Sequence, residues 1–435
     1  MTAEISIMNK SAIALAADSA VTVRMQNGQK IFNTVNKLFM LSKFHPVGIM
    51  IYGNAEIMGI PWEIVIKRFR ENIGNKKFSQ LVDYENAFVE FLTSPDKIFS
   101  SKKQLAYFKD VITGYYIGLR KEINSLVEEY IESNKKIYLN KIKLFATKVI
   151  KSHYNTWDTV ENLPFVSAEY KSKFFKKYSK TLDDIKLKIF EKMPISINSS
   201  KLLKKIALMI FTKDRFSVNN SGIVIAGFGE DELFPGLIEI LTEGIVNNQL
   251  KYKKSKSMQI NHKNNASITP FAQSEMVATF MEGIDPDYNI VLKGYLNQLL
   301  GEVYPNLISD AIGKTKDEKI EIDNKLKKIG KDLLGDFNKE TLKYKRQKHI
   351  DPILGIVSIL PKDELAGMAE SFVNLTSLKR RISMDAETVG GPIDVAVISK
   401  GDGFVWIKRK HYFKAELNPS FFSNYYQNCS SKKGG

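Results

Sequence analysis

Two short apolar segments joined by a tight turn open the chain and constrain its fold more than any other feature. Residues 4–8 and 12–16 are rich in small and aliphatic side chains, and Asn9-Lys10 separates them. Asparagine tolerates positive φ and is common in tight hairpin turns. The sequence therefore predicts an antiparallel hairpin whose second strand ends at the carboxylate of Asp18.

The residue before this hairpin can act as a nucleophile. Thr2 is small enough for Met1 to be removed, and removal would place a hydroxyl and a free α-amine on one residue. An α-amine has a pKa of about 7.7 to 8.0, so it can accept the hydroxyl proton near neutral pH. An ammonium such as Lys37 would lower the pKa of both groups, and Asp18 would hold that ammonium in place. Taken singly, these residue types are ordinary at a chain start, a turn and a surface.

The segments that follow have a characteristic order. Lys37 lies within the segment 34–39, the segment 47–56 follows it, and Pro61 precedes a helix predicted over 62–71. Together with the opening hairpin, this order resembles the catalytic subunits of the proteasome family, including the bacterial HslV-type peptidase. The resemblance implies an N-terminal nucleophile hydrolase of the α+β class, a four-layer αββα sandwich in which two antiparallel sheets are covered by helices.

The resemblance also implies roles for individual residues. Thr2 would be the nucleophile, Asp18 the carboxylate and Lys37 the lysine, although three extra residues separate Asp18 from Lys37. Tyr52-Gly53 replaces the family's glycine pair, so a backbone N–H of Gly53, or of Tyr52, would stabilise the oxyanion. The walls of the substrate pocket would be formed by Val35, Met50, Tyr52 and Asn54.

The downstream motifs match the family in part. Residues 221–235 resemble its central strand and turn, and residues 237–241 its next strand. Ala272 occupies the place of a serine that assists the nucleophile, which leaves Ser274 beside the pocket. After a helix predicted over 362–381, Asp385 and Thr388 have the spacing of the Asp and Ser/Thr that the family places against its threonine. Strands are predicted over 393–398 and 405–408.

The organisation of the chain follows from these matches. The core would comprise residues 1–75, 218–285 and 351–417, and helical insertions would span 76–217 and 286–350, followed by a flexible tail, 418–435. Proteasome relatives form closed rings, so the resemblance implies a homo-oligomer that cleaves proteins or peptides, fed by a separate ATP-driven unfoldase. No G-x-x-x-x-G-K-[ST] motif is present, so this chain would not supply the ATP site.

Composition limits the classes of protein to which the chain can belong. A hydrophobic fraction of 43% permits a sizeable core, but no apolar run is long enough to cross a bilayer, and no leader features precede Thr2. We therefore expect a cytoplasmic protein. The five histidines and the single cysteine, Cys429, lack metal-ligand spacing, so neither a metal nor another cofactor is expected.

The net charge of +16 keeps further interpretations open. Residues 71–215 contain 27 Lys and Arg against 17 Asp and Glu. A basic helical adaptor that binds nucleic acid is one explanation, but the lysines are spread along helices and no nucleic-acid motif occurs, which favours a solvated helical face. A non-catalytic, proteasome-like assembly module is the other alternative to the peptidase, because Ala272, Tyr52 and the large insertions depart from the catalytic pattern.

Overall fold

The structure, a computed structural model, describes residues 2–25, 28–94, 98–134, 136–383, 389–411, 413–420 and 422–423. Helices and antiparallel sheets are both present, so the α+β class expected from the sequence is confirmed. The chain divides into two compact units. The first unit comprises residues 1–52, 226–236 and 258–435, and the second comprises residues 53–225 and 237–257.

The described elements are numbered in chain order. The strands are β1 (Ala3–Asn9), β2 (Ala12–Ala17), β3 (Val21–Met25), β4 (Gly28–Phe32), β5 (Leu38–Met40), β6 (Val47–Gly53), β7 (Glu56–Ile57), β8 (Ile60–Pro61), β9 (Ser221–Gly227), β10 (Gly236–Val246), β11 (Gln249–Gln259), β12 (Ala266–Ala272), β13 (Asp394–Ser399) and β14 (Gly403–Lys408). The helices are α1 (Trp62–Ile73), α2 (Leu81–Thr93), α3 (Ser101–Asn134), α4 (Leu139–Asp158), α5 (Ala168–Phe190), α6 (Ile197–Thr212), α7 (Glu275–Glu282), α8 (Pro286–Gln298), α9 (Tyr304–Ile312), α10 (Lys316–Lys345), α11 (Asp351–Val357) and α12 (Lys362–Ile382). Short π-helical turns over Leu299–Val303 and Arg346–Ile350 connect α8 to α9 and α10 to α11, and Ala415–Leu417 forms a 3-10 turn.

A five-stranded sheet organises the first unit. Its strand order is β12-β1-β2-β13-β14, and every neighbouring pair is antiparallel. The predicted opening hairpin is confirmed, with Glu4 opposite Ala17 and Met8 opposite Ile13. All residues of β1 and β2 are buried, which explains why small apolar side chains dominate both strands.

The hairpin turn forms for a different reason from the one expected. Neither Asn9 nor Lys10 has positive φ. Instead, Oδ1 of Asn9 accepts hydrogen bonds from the backbone N–H groups of Ser11 (2.9 Å) and Ala12 (3.2 Å). An asparagine side chain that bonds its own backbone two residues further on is a common way to fix a turn. The turn prediction is therefore confirmed, whereas its positive-φ rationale is wrong.

Helices α7, α11 and α12 cover one face of this sheet. Because side chains alternate along a strand, Ala3, Ile5 and Ile7 of β1 point towards these helices and belong to one apolar cluster with them. The predicted helix over 362–381 is confirmed as α12, which contributes Leu365 and Phe372 to that cluster. The intervening residues of β1, including Glu4 and Ser6, consequently point to the opposite face.

Strand β6 lies against that opposite face. A Cβ atom added to Gly48 would lie 2.9 Å from side-chain atoms of both Ile398 and Phe404, so only glycine lets the strand approach this closely. Met50 and Tyr52 share the Gly48 face of β6, since they follow it at even spacing. The ring of Tyr52 stacks on Phe271 of β12, with centroids 6.0 Å apart. Strand β5 pairs with β6.

The second unit combines α1–α6 with strands of its own. An apolar cluster built mainly from α3–α6 includes Phe108, Phe174 and Tyr178, whose rings stack or meet at their edges. The predicted helix over 62–71 is confirmed as α1, and Nε1 of its Trp62 donates to Oγ of Ser221 at 2.9 Å. No strand was expected over the lysine-rich segment 249–259, which forms β11.

Candidate active site

The hydroxyl of Thr2 is held inside the first unit. Thr2 is 3% exposed, and its Oγ1 donates a hydrogen bond to Oε2 of Glu4 at 2.9 Å. Its carbonyl oxygen accepts from the N–H of Gln273 at 3.2 Å, which continues the pairing of β1 with β12 by one residue. Since Thr2 and Glu4 are two residues apart, their side chains lie on the same side of the sheet, away from the helices.

Asp18 is a buried carboxylate with four hydrogen-bond donors. Its Oδ1 accepts from the N–H of Ala3 (3.1 Å) and from Nζ of Lys37, and its Oδ2 accepts from the N–H groups of Ala20 (3.2 Å) and Gly390 (3.0 Å). These four donors satisfy both oxygens of the buried carboxyl group. Asp18 therefore connects three parts of the chain: Ala3 at the start of β1, Lys37 before β5, and Gly390 before β13.

Lys37 lies between two carboxyl groups. Its Nζ bonds Asp18 and lies 3.5 Å from Oε1 of Glu4, and the residue is 3% exposed. The carbonyl oxygen of Lys37 accepts from the N–H of Ile51 at 2.8 Å, so β6 fixes the backbone at this position. The structure thus brings together Thr2, Asp18 and Lys37, the three residues that the sequence singled out.

Glu4 is the functional-site candidate that the sequence reasoning missed. Burial raises its pKa to about 8; the charge of Asp18 acts in the same direction, while Lys37 and the Thr2 hydroxyl act against it. Its neighbours across the sheet, Ala17 and Phe271, are apolar and provide no compensating donor. The folded environment therefore favours the protonated form of this carboxyl. The sequence feature that could have identified Glu4 is the position of a carboxylate two residues after Thr2 within an apolar strand.

A second buried ion pair adjoins the first. Nζ of Lys410 donates to Oδ2 of Asp394 at 2.5 Å, and the N–H of Lys410 donates to Oδ1 at 2.8 Å. Burial lowers the pKa of Lys410, and Asp394 opposes that shift. The charge of Lys37 also lowers this pKa, whereas the charge of Asp18 raises it. The cluster therefore contains three carboxyl groups and two ammonium groups, and Glu4 is the carboxyl without an ammonium of its own.

Three of the predicted pocket residues, Val35, Met50 and Tyr52, belong to the same unit as this cluster. The N–H of Val35 donates to the carbonyl oxygen of Ser19, next to Asp18, at 3.1 Å, and Val35 is half-buried. Tyr52 is also half-buried, whereas Met50 is fully buried opposite Leu38. Val35 and Tyr52 are thus the two of these side chains that retain exposed surface.

The segment after β12 differs from the family pattern in geometry as well as in sequence. Ala272 is exposed and has a φ of 59°, a left-handed conformation unusual for a residue with a Cβ atom. Ser274 is exposed and precedes α7, but its side chain makes no capping hydrogen bond. Between them, Oε1 of Gln273 accepts from Nε of the buried Arg380 at 2.9 Å, so α12 anchors this turn.

Gly53 and Asn54 belong to the second unit. Gly53 has a φ of 78°, and a Cβ atom there would lie 2.6 Å from the carbonyl oxygen of Asn220, so the backbone alone requires glycine. Asn54 donates through its N–H to Asn220 (3.0 Å) and through Nδ2 to Asn219 (3.3 Å). The role of Gly53 as an oxyanion donor stays a prediction. Asp385 and Thr388 lie outside the described residues.

Comparison of the chain with protein-family models and with curated proteins finds no match. Within the described ranges, no group of three or more His, Cys, Asp or Glu side chains could hold a metal ion. None of the helices in the part of the chain that the structure describes is long and apolar enough to cross a membrane.

Proposed function

We propose that the chain is a proteasome-like threonine peptidase that hydrolyses peptide bonds with Thr2 as its nucleophile once Met1 is removed. The buried Asp18–Lys37 ion pair beside the start of β1 carries this proposal. Burying two charges is costly, and an apolar pair of similar volume often stabilises a fold equally well or better. A buried lysine–aspartate pair that bonds the backbone of the residue next to Thr2 therefore favours a chemical role over a purely structural one.

The proposed reaction is acyl transfer. Oγ1 of Thr2 would attack a peptide carbonyl, and a backbone N–H group would bind the developing oxyanion. The amine half of the substrate would leave as the C–N bond breaks, and water would then release the acyl group. The ammonium of Lys37 would favour ionisation of the hydroxyl by its positive charge, and Asp18 would hold it in place. Val35 and Tyr52 are the half-buried side chains that would contact the substrate.

Access to Thr2 depends on processing in this proposal. The residue is 3% exposed, so a substrate carbonyl needs this end of β1 to open before it can reach Oγ1. Removal of Met1 would shorten the chain at that end and add a free α-amine. We therefore expect activity to require the trimmed protein.

The proposal includes a finer fold and an assembly. Helices α7, α11 and α12 on one face of the sheet, and Gly48 of β6 against the other, support a layered αββα sandwich. By the same resemblance, we propose a cytoplasmic homo-oligomeric ring that receives protein substrates from a separate ATP-dependent unfoldase.

The deciding experiment is the intact mass of the purified protein before and after incubation with a peptide epoxyketone. This reagent joins both the hydroxyl and the free amine of an N-terminal threonine. We expect a mass that lacks Met1 and then gains one inhibitor. Thr2→Ala is the matched control, because alanine also permits removal of Met1 but supplies no hydroxyl, and it should gain no mass. Retained Met1, or labelling that persists in Thr2→Ala, would contradict the proposal.

A non-catalytic assembly module is the second candidate. It is favoured by Ala272 in the place of the assisting serine, and by the burial of the Thr2 hydroxyl against Glu4. This candidate predicts that Thr2→Ala leaves every measurable property except fold stability unchanged. A trimmed wild-type protein that neither reacts with the epoxyketone nor cleaves a denatured protein would support it.

A further inference from the structure

We infer that Glu4, acting as a carboxylate, is the group that accepts the proton of the Thr2 hydroxyl, and that the freed α-amine of Thr2 acts as its counter-charge. This inference rests on the proposed function. It assigns the proton transfer to a residue two positions from the nucleophile on the same strand face.

The geometry of the hydroxyl is the first step of the argument. Oγ1 of Thr2 already donates to Oε2 of Glu4 at 2.9 Å, which is within the range required of a general base. The other carboxyl oxygen, Oε1, has no hydrogen-bond partner among the described residues, and Lys37 Nζ is its nearest ionic group, at 3.5 Å. Lys37 thus lies beside Oε1 of the carboxyl group, while Oε2 faces the reacting hydroxyl.

The charge balance is the second step. In the chain that retains Met1, Asp18 and Asp394 each have a lysine partner, and Glu4 only shares Lys37 with Asp18. Removal of Met1 would add one ammonium at Thr2 and bring the cluster to three carboxylates and three ammonium groups. A buried carboxyl is charged far more readily when an opposite charge lies nearby. Trimming would therefore favour the charged form of Glu4, the form that can accept a proton.

Among the described side chains around Glu4, few others could perform this transfer, and the free α-amine of Thr2, the acceptor expected from the sequence, acts instead as the counter-charge. The charged groups that act on it are Asp18 from β2 and Lys37 before β5, with the Asp394–Lys410 pair next to them. Asp18 already accepts four hydrogen bonds, and its two oxygens bind Ala3 and Gly390 among others, so it has no free position for the Thr2 proton.

The proton and the bonds balance over the reaction. As Oγ1 bonds to the substrate carbonyl carbon, its proton passes to Oε2 of Glu4. When the C–N bond breaks, Glu4 returns that proton to the leaving amine. In the second half, water attacks the ester and gives a proton to Glu4, which passes it to Oγ1 as the C–O bond breaks.

The test measures acylation of Thr2 by a peptide β-lactone, which reacts with the hydroxyl alone, followed by intact mass as a function of time and pH. Glu4→Gln keeps the shape of the side chain and can still accept the Thr2 hydrogen bond, but it cannot take the proton. We expect acylation to be slower by a factor of about 100 or more. The wild-type rate should rise with pH as Glu4 ionises, and this limb should disappear in Glu4→Gln.

Two further variants control for structural effects. Ser6→Ala changes the next residue on the same face of β1, whose buried hydroxyl has no hydrogen-bond partner among the described residues, and should acylate at the wild-type rate. Glu4→Asp keeps a carboxyl at greater distance, so it should react at an intermediate rate and retain the pH limb. If Glu4→Gln reacts within about threefold of wild type while Thr2→Ala is inert, the inference is wrong and the proposed function stands. If the wild type is inert at every pH, both are wrong.

Discussion

At the scale of single residues, Glu4 links the pH dependence of stability to the site. Its pKa is raised from 4.5 to about 8 mainly by burial, so the folded chain binds this proton more tightly than the unfolded chain. The associated stability is fully present below pH 4.5 and is lost as pH rises towards 8. Glutamine at this position has no proton to lose.

Glu4→Gln should therefore gain stability relative to the wild type between pH 5 and pH 8. At about 1.4 kcal/mol per pH unit for one proton, the relative gain over these three pH units has an upper limit of roughly 4 kcal/mol in the chain that retains Met1. Urea unfolding of both proteins at the two pH values measures it. The trimmed protein should show a smaller gain, because its α-ammonium stabilises the ionised carboxyl. Equal differences at pH 5 and pH 8 would show that Glu4 does not titrate abnormally.

The residues of the site were predictable to different degrees. Thr2, Asp18 and Lys37 are recognisable because each has its usual place relative to a strand, so their order along the chain carries information. No comparable sequence feature identifies Glu4, since a carboxylate in a strand usually faces water. Glu4 is buried opposite Phe271, whose ring stacks on Tyr52 of β6, and sequence spacing alone does not reveal this neighbourhood.

At the scale of secondary-structure elements, one asparagine connects the opening hairpin to the helices. Nδ2 of Asn9 donates to the carbonyl oxygen of Val357 (3.0 Å), the last residue of α11, and to that of Leu360 (2.9 Å), three residues further on. Its Oδ1 accepts from Ser11 and Ala12. Each buried polar group left unpaired costs about 1–3 kcal/mol. The side chain thus stabilises both the turn and the end of the helix.

Asn9→Ala should lower the free energy of unfolding by about 2–4 kcal/mol, because two carbonyl groups and two N–H groups lose their partner together. Ser11→Ala is the matched control: it removes one hydroxyl that donates to the same Oδ1 at 2.7 Å and should cost under about 1 kcal/mol. Thermal unfolding of the three proteins measures the difference. Equal losses in the two variants would mean that the contacts with α11 contribute nothing.

Elements with a clear apolar period were predicted well, and β11 was not. The hairpin, α1 and α12 each combine a regular pattern with a turn or a proline at their start. Strand β11 contains a run of lysines and lies at the edge of its sheet, where charged side chains discourage pairing with other chains. Such a strand is stabilised by its neighbour β10, so its own composition resembles that of a loop.

At the scale of the whole molecule, α8 suggests how copies of the chain associate. None of its residues is fully buried. Four of its large apolar or aromatic side chains are at least 60% exposed: Tyr288, Ile290, Val291 and Tyr295. Short helices are marginal in water without tertiary packing. A second copy of the chain would cover these apolar side chains, in agreement with the proposed homo-oligomer.

Sedimentation or light scattering should therefore give a mass that is a multiple of 49.5 kDa. Val291→Glu should shift the protein towards the monomer by burying a charge at the contact, since an unpaired buried charge is costly. Lys293→Gln is the matched control, because it changes the net charge of the same helix by the same amount but removes no apolar side chain, and it should leave the mass unchanged. A wild-type monomer at micromolar concentration would contradict the ring. An oligomer insensitive to Val291→Glu would place the contact elsewhere, because Val291 is 68% exposed in the single chain and can affect assembly only through the partner that covers it.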